Sequence, residues 1–274
     1  QAEDGIRDVE RSRGLGDVYK RQVYEVIRFY YDHFFQTKAH LERMAKGLSE
    51  LRIKKPDFNE FKNIIEHLIK VNKLSGDQAI AYIQVTRGAY APRRHWFPPE
   101  DTQATIFISA SAFNPHQDEI DNGVKIILEP DVRWLRCDIK SIALLPNVLA
   151  RQKAIDNGAT EAIFVRDEFV TEGTHTNFCA VKNGELFTHP LSNLILPGVT
   201  RQVVLKICQE LNIPVKEIPI KKSDLKSFDE LLLVGTTVEI TPIIQVNDWT
   251  VGNGKPGPIT KNIQKLFYDI IRQK

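Results

Sequence analysis

The segment Pro197-Gly198-Val199-Thr200-Arg201 has residue types that suit the binding of an anion at the start of a helix. A run with helical periodicity begins here, so the first backbone N–H groups, at Val199 and Thr200, lack acceptors within the helix. These groups and the Thr200 hydroxyl suit a phosphate dianion, although a plain helix cap uses the same geometry. Thr236 and Thr237 follow the apolar run ELLLV and Gly235, and they can add further donors.

Two charged residues, Lys140 and Glu172, lie at positions that suit chemistry other than anion binding. Lys140, in RWLRCDIKSIALLPNVLARQKA, stands between an apolar strand region and a helix. Partial desolvation lowers the pKa of a lysine, so that its amine can be neutral near pH 7 and act as a nucleophile. Glu172, in VTEGTHTN, follows the apolar run EAIFV and a turn. Taken alone, a lysine is usually a solvated surface charge and a turn glutamate is usually unremarkable in function, so the surrounding strings decide.

Those strings resemble one family. RWLRCDIKSIALLPNVLARQKA is similar to the lysine segment of D-amino-acid aminotransferases, a branch of the fold type IV (class IV) pyridoxal-phosphate aminotransferases, and TEGTHTN resembles the family pattern E-G-x-x-x-N. The resemblance runs from Val23 to the C-terminus. It implies a mixed α/β (α+β) fold with a small N-terminal α/β domain and a larger C-terminal domain with a barrel-like sheet. It also implies pyridoxal 5'-phosphate as the cofactor, bound between the two domains.

The resemblance also implies roles for individual residues. Lys140 would hold the cofactor as a Schiff base and then carry a proton as the catalytic residue. Glu172 would lie against the pyridine nitrogen and make the ring a better electron sink. The remaining cofactor-binding residues implied in this way are Arg43 (in HLER), Asn177, Val199, Thr200, Thr236 and Thr237. The family more often has small hydroxyl residues where His175 stands.

The substrate end of the resemblance points to D-amino acids. Arg93 and His95 occur in P-R-x-H-x-F-P, which resembles the carboxylate-binding loop of D-amino-acid aminotransferases. In that family an arginine, a histidine and a tyrosine clamp the α-carboxylate, and Tyr24 in VYEV matches the tyrosine. Arg94 lies beside Arg93 and could compete with it for the ligand. Because this loop reaches the partner subunit's site in family members, a homodimer is implied.

The implied reaction is reversible transfer of an amino group between a D-amino acid, such as D-alanine, and a 2-oxo acid, such as 2-oxoglutarate. Two alternatives share the fold: a branched-chain L-amino-acid aminotransferase and an aminodeoxychorismate lyase. The P-R-x-H loop argues against the first, and the second would use the same lysine to eliminate pyruvate. A third alternative is an inactive product, because the first strands of the family's small domain are missing from the sequence.

The elements that must position these residues follow from hydrophobic periodicity. Period-2 and apolar runs predict strands at Val23–Phe29, 83–86 and 105–109, and later in GVKIIL, EAIFV, NFCAV and ELLLV. Apolar residues at helical spacing predict helices over 39–51, 57–71, 145–157 and 199–211. Asn183-Gly184 is a typical hairpin turn. The polar stretch 114–123 predicts a linker between a small domain at 23–113 and a large cofactor-binding domain at 114–274.

Composition excludes several other classes of protein. Net charge is +2, from 37 basic and 35 acidic residues, which gives no electrostatic reason to expect nucleic acid or a membrane surface as partner. No apolar stretch approaches the roughly 20 residues that a spanning helix needs. The 3 cysteines are odd in number and lack CxxC spacing. We therefore expect neither a disulfide framework nor a metal site, and a reducing cytoplasm is the default.

Residues 1–22, QAEDGIRDVERSRGLGDVYKRQ, differ from the rest of the chain. They are rich in charge, show no period of 2 or 3.6, and have no apolar region typical of a signal peptide. We interpret them as a non-native leader that resembles translated sequencing-adapter sequence, with native sequence beginning near Val23. The alternative is a native, solvated N-terminal tail.

We predict that this leader impairs the protein. A small-domain sheet without its first strands exposes an unpaired edge, and a shortened strand would aim the Tyr24 hydroxyl poorly. Replacing residues 1–22 with a family-like start that ends in F-G-D-G should raise both solubility and specific activity per bound cofactor. Equal specific activity of the two proteins would show instead that the leader is a tolerated native segment.

Overall fold

The computed structural model describes residues 22–90 and 95–272, and it divides into two compact units. The first unit takes the chain up to Phe113 together with the segment Ile139–Ala143, and the second takes Asn114–Asp138 and the chain from Leu144 onward. The leader predicted over residues 1–22 lies outside the described residues except for Gln22, and so does Arg93. Lys140 is grouped with the first unit, whereas the predicted boundaries assigned it to the large domain.

The described residues of the first unit form an antiparallel sheet with two helices. In chain order the elements are β1 (Gln22–Tyr30), β2 (His33–Phe34), α1 (Thr37–Glu50), α2 (Phe58–Val71), β3 (Gln78–Thr86) and β4 (Thr105–Ala112). The strands lie in the order β2-β1-β3-β4. The predicted first strand and both predicted helices are confirmed. The strands predicted at 83–86 and 105–109 are longer than expected: β3 begins at Gln78, and β4 continues to Ala112 through alanine and serine, which give little hydrophobic signal.

One face of this sheet is buried against both helices. Residues Val23, Ile27 and Ile83 point to the same side because strand side chains alternate, and they pack with Met44 and Phe61. Helix α1 comes very close to β1 at Gly47. A Cβ atom at Gly47 would lie 2.9 Å from Cγ1 of Val23. Helix α1 is therefore seated directly on the strand that carries Tyr24.

The second unit contains the larger sheet. Its elements are α3 (Gln117–Asn122), β5 (Val124–Pro130), α4 (Leu145–Asp156), β6 (Glu161–Arg166), β7 (Phe169–Gly173), β8 (Asn177–Lys182), β9 (Glu185–Thr188), α5 (Val199–Glu210), β10 (Val215–Glu217), β11 (Ile220–Lys221), a 3-10 helix (Lys222–Ser227), β12 (Glu230–Gly235), β13 (Glu239–Val246), β14 (Trp249–Thr250) and α6 (Pro258–Arg272). The strand order includes β8-β12-β13-β5-β6-β7, and β7 also pairs with β8. These six strands close on themselves, which confirms the predicted barrel-like sheet.

Local turn chemistry explains how two connections are made. Asn183 and Gly184 have φ values of 51° and 78°, so the dipeptide supplies the left-handed turn that joins β8 to β9, as predicted. The stretch predicted as a linker contains helix α3, which buries Ile120 and has hydrogen bonds between side chains four residues apart. Six residues are too few to show a helical period. Among the described residues no helix is both long and apolar enough to cross a membrane.

Candidate active site

In the first unit, Lys140 is fixed against strand β1. The backbone N–H of Tyr24 donates a hydrogen bond to the carbonyl oxygen of Lys140 over 3.0 Å, and Val23 and Ser141 form an antiparallel bridge. Ile139, one residue before the lysine, is buried in the core formed by β1, α1 and α2. The lysine therefore leaves a short segment whose backbone is held by a strand and whose preceding side chain is anchored in the core.

The side chain of Tyr24 lies beside that of Lys140. The Lys140 Nζ atom is 4.4 Å from the centre of the Tyr24 ring, and this ring stacks on Tyr82 at 5.6 Å. Burial raises the pKa of the Tyr24 hydroxyl, the neighbouring Glu25 raises it further, and Arg43 lowers it. The hydroxyl thus stays protonated and can donate a hydrogen bond. Tyr24 and Lys140, two residues predicted to act on the same substrate, are brought together.

A buried carboxylate, Glu25, follows Tyr24 in sequence, and its side chain lies on the opposite face of β1. Arg43 Nε and Nη2 donate to its two oxygens, each over 2.7 Å, and His40 Nδ1 lies 2.8 Å from Oε2. Burial alone would raise the pKa of Glu25, but Arg43 and His40 lower it to about 2. Burial lowers the pKa of His40, and the positive charges of Arg43 and Lys140 lower it further, against the opposing effect of Glu25. Arg43, predicted to contact the phosphate, is thus engaged with Glu25 in this structure.

The predicted carboxylate-binding loop connects β3 and β4. His95 is exposed there, as are its neighbours Trp96 and Phe97. Arg93 lies outside the described residues, so its side chain has no structural account. The structure therefore brings Tyr24, Arg43 and Lys140 together in the first unit, and it places His95 on an exposed connection of the same unit.

In the second unit, Glu172 is buried at the end of β7 and its carboxylate is held from three sides. Arg133 Nη1 donates to Oε1 over 2.6 Å. The side-chain amide of Asn177 donates to Oε2 over 3.0 Å, and the backbone N–H of Leu196 donates to the same oxygen over 2.9 Å. A buried carboxylate needs such donors, because without them its desolvation would cost several kcal/mol.

The donors leave Glu172 close to a change of protonation state. Burial raises the pKa of Glu172 to about 7, although the charge and hydrogen bond of Arg133 and the N–H of Leu196 lower it. Arg133 is shared with Asp131, whose Oδ1 accepts from Nε over 2.9 Å. Burial lowers the pKa of Arg133, but Asp131 and Glu172 raise it overall, so the guanidinium stays charged. A cation placed against Glu172 would favour its ionised form.

Asn177 connects this carboxylate to the start of helix α5. Its amide donates to the carbonyl oxygen of Leu196 over 2.9 Å as well as to Glu172. A Cβ atom at Gly198 would lie only 1.9 Å from Asn177 Oδ1, so glycine is needed for this close approach. Gly198 is the N-cap of α5 and has no side chain with which to cap it. The N–H groups of Val199 and Thr200 begin the helix, as an anion site requires.

The other two hydroxyl groups predicted to bind the phosphate, those of Thr236 and Thr237, lie on a nearby turn. Thr236 and Thr237 follow Gly235 in the connection between β12 and β13. A Cβ atom at Gly235 would lie 3.6 Å from the carbonyl oxygen of His175 and 3.7 Å from Cγ2 of Thr176. This turn therefore packs beside the turn that joins Glu172 to Asn177. The six predicted cofactor-binding residues of the second unit lie at the ends of strands or helices or in the turn after β12. They are Glu172, Asn177, Val199, Thr200, Thr236 and Thr237.

Three residues of these networks were not predicted. Glu25 carries a signal in the sequence, because strand alternation places this charge on the same face as Val23 and Ile27. His40 stands one helical turn from the buried Met44 and so falls on the apolar face of α1. Arg133 carries no such signal, since it lies in irregular chain 39 residues before its partner Glu172.

Comparison with known proteins decides the family. A family model described as amino-transferase class IV matches residues 22–246. The chain belongs to the class IV aminotransferases. It is 38% identical to a D-alanine aminotransferase of Staphylococcus haemolyticus, over 94% of this chain and 91% of that protein. It is 37% identical to a D-alanine aminotransferase of Listeria monocytogenes, over 100% of this chain and 93% of that protein.

Solved structures of the same class have the same fold. A branched-chain amino acid aminotransferase of Escherichia coli superimposes with a TM-score of 0.84 at 26% identity, over 92% of this chain and 86% of that one. A branched-chain enzyme of Thermobaculum terrenum, solved in its PLP form, gives a TM-score of 0.81 at 24% identity, over 93% of this chain and 86% of that one. The predicted fold type IV architecture is confirmed.

Class IV aminotransferases depend on pyridoxal phosphate, and the residues of this chain fit that cofactor. The second unit offers a glycine-capped helix start for a phosphate and a buried carboxylate for a protonated ring nitrogen. The close contact between Gly198 and Asn177 ties the two together. The first unit offers a primary amine, Lys140, beside an aromatic ring.

We predict that Glu172 makes the stability of the cofactor-free protein depend on pH. Its pKa in the folded protein is raised from 4.5 to about 7. The contribution of this shift to the free energy of unfolding is therefore fully present below pH 4.5 and is lost as the pH rises through about 7. Between pH 5 and 8, the free energy of unfolding of the wild type should fall by about 2–3 kcal/mol more than that of Glu172→Gln.

Urea denaturation at several pH values measures this difference. Glu210→Gln, on the exposed side of α5, is the matched control and should follow the wild type. Parallel stability curves for the wild type and Glu172→Gln would show that Glu172 keeps one protonation state throughout this range.

Proposed function

We propose that this class IV aminotransferase transfers an amino group between a D-amino acid, such as D-alanine, and a 2-oxo acid, such as 2-oxoglutarate. The observation that carries the proposal is the network of the second unit, in which Asn177 holds both the buried Glu172 and the start of helix α5. The preference for D-amino acids is supported by the two D-alanine aminotransferases at 37–38% identity and by the P-R-x-H loop.

We infer the following roles. When bound, pyridoxal phosphate accepts the electron pair that is released as the Cα–H bond of the amino acid breaks. Lys140 would hold the cofactor covalently, and its amine, when free and neutral, would take the Cα proton of the substrate. Glu172 would stabilise a proton on the ring nitrogen, because a carboxyl group with a pKa of about 7 ionises readily when a positive charge is placed against it.

The phosphate and the substrate carboxylate take the remaining donors. Val199, Thr200, Thr236 and Thr237 donate to the phosphate, and Arg43, which is paired with Glu25, holds the strand on the lysine side of the site. Tyr24, His95 and Arg93 bind the α-carboxylate of the substrate. The protonated Tyr24 hydroxyl beside Lys140 supports this assignment, because one residue then orients the same substrate from which the lysine removes a proton.

Lys140 is predicted to carry the cofactor. The purified protein should be yellow, and borohydride should fix a phosphopyridoxyl group on the peptide that contains Lys140. Mass spectrometry locates the label, which Lys140→Ala should abolish and the exposed control Lys206→Ala should keep. A label on Lys206 or Lys221 would refute the assignment.

The stereochemistry of the reaction is predicted from the carboxylate loop. D-Alanine should react with 2-oxoglutarate, and L-alanine and L-leucine should react far more slowly. Arg93→Ala should raise KM by about tenfold or more, since a charge-assisted hydrogen bond is worth roughly 1.5–3 kcal/mol. Coupled assay of the 2-oxo acid product measures these rates. Faster turnover of L-leucine than of D-alanine would place the enzyme with the branched-chain aminotransferases, and release of pyruvate from aminodeoxychorismate would place it with the lyases.

We further propose a homodimer, and helix α4 supports it. Ala150 and Ala154 pack this helix against Ala162 and Phe164 of β6. Its other side presents residues spaced three and four apart, Leu145, Val148 and Leu149, which are 69%, 60% and 63% exposed. Val132, Trp134 and Leu135 are also exposed in the preceding loop. Large apolar side chains grouped on one helix face mark an interface between proteins.

Charge on this face of α4 should separate the subunits. We predict that the double variant Leu145→Glu and Leu149→Glu has the mass of one chain, 31.3 kDa, in light scattering, and that the wild type has twice that mass. Two buried carboxylates without partners would destabilise the interface. The control Asn63→Glu, on an exposed position of α2, should remain dimeric. A double variant that is still dimeric would exclude this face.

We propose a cytoplasmic location. Cys137, Cys179 and Cys208 are all buried and free in the structure, as thiols in a reducing compartment are.

A further inference from the structure

The turn between β7 and β8 rests on a buried carboxylate outside the site described above. Glu161, the first residue of β6, has no solvent exposure. It contacts all three side chains of the turn. The Thr174 hydroxyl donates to Oε1 over 2.6 Å, the Thr176 hydroxyl donates to Oε2 over 3.2 Å, and His175 Nδ1 lies 3.0 Å from Oε2. One carboxylate thus gathers three successive residues.

Two nitrogen-bearing side chains face the charge of Glu161. Arg151 Nη1, from α4, lies 3.4 Å from Oε1, and His175 Nδ1 faces Oε2. Burial raises the pKa of Glu161, but the hydrogen bond and charge of His175, followed by Thr174 and Arg151, lower it to about 2. Glu161 is therefore ionised near neutral pH, and one of its partners is a histidine, the residue type that proteins use as a switch near neutral pH.

The same turn determines where two cofactor-binding residues stand. Glu172 and Asn177 face each other across the strand pair, directly before and after the turn. Within it, the Gly173 N–H donates to the Thr176 carbonyl oxygen over 2.8 Å. A Cβ atom at Gly173 would lie 2.1 Å from Thr176 Oγ1, so this position of the turn has no room for a side chain. A shift of the turn on Glu161 would move Glu172 and Asn177 with it.

We propose that His175 is a positioning residue: with Glu161 it forms a charged pair that holds the β7–β8 turn, and it makes cofactor affinity depend on the protonation of its ring. The inference rests on the proposed function, because it concerns the placement of Glu172 and Asn177. The small hydroxyl residue that the family more often has here could accept or donate a hydrogen bond, but it could not carry the charge. The histidine therefore adds a dependence on pH that a hydroxyl does not provide.

The sign of the effect follows from the pair. A protonated His175 attracts Glu161 and favours the ordered turn, so cofactor affinity falls as the ring loses its proton. The His175 side chain is 41% exposed, so solvent screens the attraction and the effect is modest. The other charged groups that face the turn, Arg151 on α4 and Glu172 on β7, are the same in every variant below and cancel in a comparison.

The test measures binding of pyridoxamine 5'-phosphate to the cofactor-free protein at pH 5.5 and pH 8.5. Pyridoxamine 5'-phosphate is an amine and forms no Schiff base with Lys140, so the measured affinity does not include covalent attachment to the lysine. The ratio of the two affinities should be about 2- to 5-fold larger for the wild type than for His175→Asn, whose amide keeps a donor near the Nδ1 position but carries no charge. His175→Ala should bind more weakly at both pH values. His67→Asn, on the exposed side of α2, should behave as the wild type.

Thermal unfolding of the same cofactor-free proteins separates this inference from the proposed function. The change in midpoint between the two pH values should be smaller in His175→Asn and in Glu161→Gln than in the wild type, whether or not the probe binds. If the wild type failed to bind the probe but showed this difference, the pair would stand and the cofactor assignment would fall. Equal pH dependence of the wild type and His175→Asn in both measurements would overturn the role of His175.

Discussion

The burial of Glu172 is the constraint on which the second unit depends most. A carboxylate without solvent contact persists only where donors replace water, and here they come from three separate parts of the chain. Arg133 comes from the loop after β5, Asn177 from β8, and the Leu196 N–H from the segment before α5. Meeting the needs of one side chain therefore fixes a loop, a strand and a helix start relative to one another. The donors of an anion site are positioned by the same bonds that satisfy the carboxylate.

In the first unit, donors also replace water around a buried carboxylate, but there they lower its pKa. Glu25 is fully buried, and Arg43 and His40 satisfy it so completely that its pKa falls to about 2. This holds α1 to β1, and Gly47 allows the two to approach closely. Tyr24 projects from the opposite face of β1, and the Lys140 backbone is bonded to its N–H. The buried ion pair thus fixes the strand that in turn positions the tyrosine and the lysine.

Much of this arrangement could be predicted from the sequence, because short local patterns of residues indicate it. The helices α1, α2, α4 and α5 have apolar residues at helical spacing, and Asn183-Gly184 is a turn with its own signature. Glu172, Asn177 and Thr200 were found through strings that resemble a family. The partners Arg133 and Glu161 were not, because no local pattern links either residue to the side chains that it contacts, 39 residues away for Arg133 and Glu172 and 13 for Glu161 and Thr174. The grouping of residues 139–143 with the first unit has the same cause, since a single bridge between Val23 and Ser141 leaves no periodic signal.

Three buried glutamates differ in how completely they are compensated. Glu25 is bonded to Arg43 and His40 and has a pKa of about 2. Glu161, which faces Arg151 and His175 and receives a hydrogen bond from Thr174, also has a pKa of about 2. Glu172 has Arg133, but that guanidinium is shared with Asp131, and the pKa of Glu172 remains near 7. A carboxylate that is already ionised and fully paired gains little from a further cation, whereas one near its midpoint responds strongly. The incomplete compensation of Glu172 therefore distinguishes it from Glu25 and Glu161. Of these three glutamates, only Glu172 can respond to a protonated ring nitrogen by changing its own ionisation near neutral pH.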